Sequence, residues 1–387
     1  MDPYLRDVLD VCLRLLHVVS AIAWIGASLY FVRLDLSLRP PRAEGDADRG
    51  VAGEFWGVHG GGLYHSQKYR LAPATMPEPL HWFKWEAYTT WLSGFALLVV
   101  LYYFDADTRL VDATVAGLEE WEAIALSVGG LGLAWVVYDV LCRVVGARSQ
   151  VALAAIGVAL FALAAWAASE LFAARAAFLQ VGAMVGTIMA ANVLFSIIPA
   201  HRKLVVAMEA GEEPDPAPLL AAKERSVHNN YLTLPVLFTM LVGHFAFVFS
   251  HDDAWLALVL ITLLLAGVRH FFNLWHAGRR VWWIPAVAAA GAVALAVWLE
   301  PDESPTRTLQ TPPPFAQVQG IVEQRCATCH RGASAPLGVR LETEQEITAR
   351  AEDIQRQAVL TRAMPPGNAT GMTDEERALL GAWVASR

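Results

Sequence analysis

The sequence predicts an all-α protein: a polytopic membrane helical bundle over residues 1–299, a Pro-rich linker over 300–314 and a small helical domain over 315–387. Composition is the first reason. Hydrophobic types make up 56% of the 387 residues, charged types 17%, and mean hydropathy is +0.40, whereas an ordinary soluble domain carries about 25% charged residues. The second reason is a set of eight segments, each apolar over the ~20 residues that a bilayer crossing needs. They lie near 8–32, 86–104, 121–141, 151–169, 176–198, 231–250, 254–275 and 282–299. Third, apolar periodicity stops at 300, where Pro-rich sequence begins and charge rises, which marks a boundary. The same balance excludes a disordered chain, and a net charge of −8 offers no basic surface for nucleic acid.

The loops orient the bundle. Basic residues follow the first, third, fifth and seventh segments, among them Arg33, Arg39, Arg143, Arg148, Arg202, Lys203, Arg225, Arg279 and Arg280. The alternate loops are acidic, with Asp105, Asp107 and Asp112 in one and Asp252 and Asp253 in another. The positive-inside rule puts the basic loops in the cytoplasm and both termini outside. The first segment lacks a small-residue cleavage site and runs into basic residues, so it reads as a retained anchor. Many of the 14 Trp lie near segment ends, as interfacial anchors would. Gly182 and Gly186, spaced i,i+4, read as a close helix contact.

The tail carries the first chemical assignment. Cys326-Ala327-Thr328-Cys329-His330 is a C-x-x-C-H motif, the c-type haem attachment sequence. A chance C-x-x-C-H, a zinc half-site or a redox dithiol fits less well, because the domain is placed outside, where covalent c-type haem is assembled, and is too small for a large core, so that a bound cofactor would help hold it together. The expected domain is thus a small class I cytochrome c. Met364, 34 residues after His330 in Met364-Pro365-Pro366-Gly367, is the expected second axial ligand. Met372 is the rival, and reads instead as a contact at the start of a last helix near 374–386, where Thr373 and Glu376 have capping-box spacing. A Met–His ligand pair raises the potential and suits an electron acceptor.

In the bundle, His17 lies about 13 Å below the outer end by helix rise. With His244 at similar depth it is a candidate ligand pair for a b-type haem, and Arg14, one turn outward, for a propionate partner. Interhelical hydrogen bonding is the alternative. At the cytoplasmic side, His81, Lys84, His228, Asn229, Asn230, Arg269, His270 and Asn273 cluster with Trp and Phe. Such a set suits a planar, polar, anionic heterocycle, although interfacial anchoring alone also gathers such residues. His81 and His270 are alternatively ligands of a second haem. No P-loop, Rossmann or zinc-protease pattern is present.

Gly61-Gly62-Leu63-Tyr64 through Lys68-Tyr69, Leu80-His81-Trp82-Phe83-Lys84-Trp85-Glu86-Ala87-Tyr88, and His228-Asn229-Asn230-Tyr231-Leu232-Thr233-Leu234-Pro235 resemble the bacterial membrane-bound urate hydroxylase (urate oxidase) family. That family joins an N-terminal membrane domain to a C-terminal cytochrome c. The first segment also resembles the first helix of the membrane protoporphyrinogen oxidase family, where the residue matching His17 is regarded as a b-haem ligand. The resemblance implies oxidation of urate to 5-hydroxyisourate in the lipid bilayer of the bacterial inner membrane, with periplasmic termini. Electrons would pass to soluble cytochrome c or a terminal oxidase. On this reading Lys68, Lys84 or Arg269 balances the charge of urate, Asn229, Asn230 or Asn273 holds its edges, and His81 or His228 takes a proton. The alternatives are a quinol-linked or other small-molecule dehydrogenase and a non-catalytic electron-relay subunit.

Overall fold

The computed structural model describes residues 2–73, 75–300, 312–332 and 335–387. The fold is largely α-helical. Helix α1 (Pro3–Ser37) begins where Asp2 caps Leu5 N and Pro3 takes the first helical position. A hairpin follows, β1 (Val51–His59) and β2 (Gly62–Tyr69). Next come α2 (Trp85–Leu98), prolonged by a wider turn to Tyr103, and the short α3 (Ala106–Arg109). The bundle continues with α4 (Glu120–Leu141), α5 (Gln150–Leu171), α6 (Ala174–Ala191), α7 (Ile198–Glu209), α8 (Pro216–Leu241), α9 (Ala246–Phe249), α10 (Ala254–His276) and α11 (Trp283–Trp298). The tail holds α12 (Phe315–Arg325), α13 (Glu344–Ala349), α14 (Ala351–Ile354) and α15 (Asp374–Ala385).

Among the described residues, five helical stretches are long and apolar enough to cross a membrane: Tyr4–Ser37, Glu120–Gly146, Gln150–Leu171, Ala174–Glu209 and Ala254–His276. Trp283–Trp298 is apolar but shorter. The sixth expected segment, 231–250, is not one helix. Regular α8 starts earlier, where Asp215 caps Ala217 N ahead of Pro216, and ends at Leu241. By helix rise its 26 residues already span about 39 Å. Its first and middle turns carry Arg225, His228, Asn229 and Asn230, which lower its hydropathy.

The hairpin is a structure that sequence reading missed. Its two-residue turn places Gly60 at φ 57° and Gly61 at φ 84°, which primed hairpin turns require and glycine adopts freely. Across it, Trp56 stacks on His65 with ring centroids 4.1 Å apart. Bonds between Arg39 and Glu54 backbones tie the hairpin to the end of α1.

The α6–α8 contact is as close as its glycines suggest. A Cβ on Gly182 would fall 2.2 Å from Thr239 Oγ1, so the helices meet there with no room for a side chain. One core gathers Leu110, Phe178, Val181, Val242 and Leu258 at the end of the bundle where α10 starts. The tail has its own core of Val318, Val322, Ile347, Leu380 and Trp383, where α12 meets α15. Of the linker expected over 300–314, residues 301–311 lie outside the described residues.

Candidate functional site

Asn229 and Asn230 follow one another on α8, so they leave the helix about 100° apart and meet different neighbours. Asn229 turns to α6: its Nδ2 donates to Met189 O at 2.9 Å, and its Oδ1 accepts from Asn192 Nδ2 at 2.9 Å. Asn230 turns to α10. Its Oδ1 accepts from Arg269 Nε at 2.9 Å and from Asn273 Nδ2 at 3.0 Å. Asn230 is 0% exposed and Arg269 5%. The remaining atoms of this trio are unpaired: Asn230 Nδ2, Arg269 Nη2, Asn273 Oδ1 and, one turn along α10, His276 Nδ1 are buried without a hydrogen-bond partner. Each such atom costs about 1–3 kcal/mol. Among the described residues no Asp or Glu pairs with Arg269. The trio therefore offers donors, an acceptor and an uncompensated positive charge to a small anion with a polar edge.

The other face of α8 is different. Arg225 Nη2 meets Asp139 Oδ1 at 2.9 Å, and its Nη1 donates to Asn192 Oδ1 at 3.3 Å. Asn192 Nδ2 donates to Tyr138 Oη at 3.1 Å, and that hydroxyl shares a 2.8 Å hydrogen bond with His228 Nδ1. This network joins α4, the turn after α6, and α8. Its donors and acceptors are matched, so it holds helices together. Arg225, which sequence reading took as a loop charge, is 5% exposed. Its partner Asp139 lies 86 residues away, and neither this pairing nor the roles of Tyr138 and Asn192 left a local signal. His228 also borders a shallow hollow with Gln150, Lys223 and Glu224.

His81 and Lys84 stand apart from the trio, at the start of α2. The His81 ring packs edge-on to Phe83, its Nε2 is 4.0 Å from Glu86 Oε1, and Lys84 Nζ sits 5.6 Å from the Trp85 ring centre. Lys68 pairs with Asp35, which Lys223 also approaches at 3.6 Å. Tyr231 Oη and His270 Nδ1 are 2.7 Å apart. Of the sequence candidates, then, Asn230, Arg269 and Asn273 are brought together, while Asn229 and His228 belong to the matched network.

His17 Nδ1 donates to Thr90 O at 2.9 Å, with Ser93 Oγ at 3.2 Å. Gly94 makes room for the ring: a Cβ there would lie 2.8 Å from His17 Cε1. The Nδ1 bond fixes the tautomer that leaves a lone pair on Nε2, the form an iron ligand needs. Arg14 pairs with Asp10 on its own helix. His244 is exposed in the turn after α8, and among the described residues no hydrogen bond or ring contact joins it to His17. In the tail, His330 Nδ1 donates to Val339 O at 2.9 Å, which likewise frees Nε2. Cys326 and Cys329 are free thiols. Met364 is half-buried beside the tail core, whereas Met372 is 4% exposed within it, next to the Thr373–Glu376 capping box. This donor set fits a covalent haem. No group of three or more His, Cys, Asp or Glu suited to a metal ion occurs among the described residues.

The family model described as urate oxidase N-terminal matches residues 3–300. The chain belongs to this family. The urate oxidase N-terminal match takes in His17, both faces of α8 and the Asn230–Arg269–Asn273 trio, and it stops short of the C-x-x-C-H motif. Membership supports urate-related oxidation chemistry and enzymatic activity in general. No curated protein and no solved structure matches the chain.

Proposed function

We propose that this protein oxidises urate to 5-hydroxyisourate in the bacterial inner membrane and passes the electrons to a haem c in its own tail. The observation that carries the reading is the trio of buried Asn230 and Arg269 with half-buried Asn273, and its unfilled hydrogen-bonding atoms. Arg269 Nη2 and Asn230 Nδ2 would donate to a urate oxygen or deprotonated ring nitrogen, and Asn273 Oδ1 would accept from a ring N–H. Urate monoanion and water give neutral 5-hydroxyisourate, two electrons and one proton. His276, whose Nδ1 is buried and unpaired one turn along α10 from Asn273, would take that proton.

Cys326 and Cys329 would attach the haem, and His330 and Met364 would ligate its iron; bound there, it accepts one electron at a time. His17, with Nδ1 committed to Thr90 O, would hold a b-type haem between substrate and tail. Eight crossings, with both termini and the tail in the periplasm, fit the basic and acidic loops. The final acceptor is then a soluble cytochrome c or a terminal oxidase.

An anaerobic optical titration of the haem-loaded protein with urate tests this. The expected result is reduction of haem c at two electrons per urate, without oxygen. Haem that reduces with dithionite but stays oxidised in excess urate would sink the proposal.

A further inference from the structure

Among the described residues, the tail meets the bundle at the turn that carries Gly367. Gly367, at φ 54°, lies so close to the loop after α3 that an added Cβ would be 2.8 Å from Val111 O and 3.1 Å from Thr108 O. Ala363 packs against the bundle core beside the same loop. Both surfaces are held in shape from behind. On the bundle side Leu110 is fully buried, its carbonyl accepts from Ala173 N at 2.9 Å, and Val111 N donates to Ala106 O at 2.8 Å. On the tail side the buried Arg377 donates to the carbonyls of Met364, at 2.8 Å, and Ala358, while Asn368 bonds Met372 N at 2.9 Å. Arg377 also lies in the field of Asp112, across the seam. Two preformed surfaces meet where only a residue without a side chain fits.

We propose that this seam is the electron-transfer contact between bundle and tail, that it seats the Met364 edge of the tail on the bundle, and that Gly367 is the positioning residue that permits the approach. The inference rests on the haem-linked function above. It adds a direction to it. Helix α3 and the loop after it, through Ala106, Leu110 and Val111, share a core with Ala254, Ala257 and Leu258 at the start of α10, whereas Arg269 and Asn273 lie near its end. Substrate and tail therefore sit at opposite ends of the bundle, separated along α10 by about 22 Å between residues 258 and 273. On that reading the bundle carries electrons lengthwise.

Two variants of the full, haem-loaded chain test the seam from its two sides: Gly367→Ala in the tail and Asp112→Arg in the bundle. Hydrogen–deuterium exchange at 106–112 reads the seating. Stopped-flow reduction of haem c by urate reads the transfer. In both variants exchange should rise severalfold and urate-driven reduction should slow at least tenfold, while the haem c spectrum and its reduction by dithionite stay as in wild type. Wild-type exchange in both variants would overturn the seating. Raised exchange with an unchanged urate-driven rate would overturn its role in transfer. If urate fails to reduce the wild type, the proposed function falls, and the exchange data alone decide whether the seam exists.

Discussion

Arg269 gives its Nε hydrogen to Asn230 Oδ1 at 2.9 Å, yet its Nη2 and the Nδ2 of Asn230 remain buried and unpaired. A guanidinium buried without a carboxylate is costly, and folding alone gives no reason to keep it. Arg269→Gln should therefore lose activity without losing stability. A charge-assisted hydrogen bond of about 1.5–3 kcal/mol predicts a fall in kcat/KM of roughly 10- to 100-fold. The thermal midpoint should hold or rise, as steady-state kinetics and a melting curve in detergent would show. A variant that unfolds in proportion to its lost activity would mark Arg269 as structural.

Arg225 should behave in the opposite way. Its guanidinium bridges Asp139 and Asn192 within a matched network. Arg225→Ala takes the buried guanidinium from Asp139, which keeps Arg143 Nε at 2.8 Å, and leaves Asn192 Oδ1 without that donor, a defect of about 1–3 kcal/mol. The thermal midpoint should drop, and adding Asp139→Asn in the same chain should lower it by less than Asp139→Asn does alone, because the pair it breaks is already gone. Melting the single and double variants measures this coupling.

Haem content separates the two centres. Gly94→Ala puts a methyl group 2.8 Å from the His17 ring and should lower b-type haem as His17→Ala does, leaving c-type haem intact. Cys326→Ser with Cys329→Ser should remove covalent haem and leave the b-type signal. Haemochrome spectra of the purified variants check both. Unchanged b-type content in His17→Ala would exclude it as the ligand.

The tail should be acid-labile through Glu376. Burial works against its ionisation, but hydrogen bonds from Arg325 Nε, at 3.0 and 3.1 Å, and from Thr373 N, at 2.9 Å, hold its carboxyl below the ordinary 4.5. A lowered value stabilises the folded tail above the unfolded-state value. That contribution is lost as pH falls below 4.5 and through the lowered value. Glu376→Gln should flatten this stretch of the pH–stability curve, followed by tail circular dichroism between acid and neutral pH.

The helices and the tail motif were legible because their signals are local. Apolar run length and the spacing of Cys326, Cys329 and His330 are local, whereas the caps Asp2 before Pro3 and Asp215 before Pro216, which begin α1 and α8, went unread. The hairpin had a local signal too, His59-Gly60-Gly61-Gly62 between aromatic runs, but with no helical context it read as a loop.

By itself the sequence determined which segments are apolar enough to pack as long helices, where the tail begins, and which residue types gather near one end of the bundle. It listed Asn229, Asn230 and Arg269 as polar residues near two apolar segments and Arg225 as a loop charge, and no more. Only the tertiary structure decided that Asn229 and Arg225 are matched by Asn192 and Asp139, while Asn230 and Arg269 keep atoms to spare. The physical reason is that a buried polar group is defined by its partner. Here those partners lie dozens of residues away in the chain and become neighbours only when the helices pack.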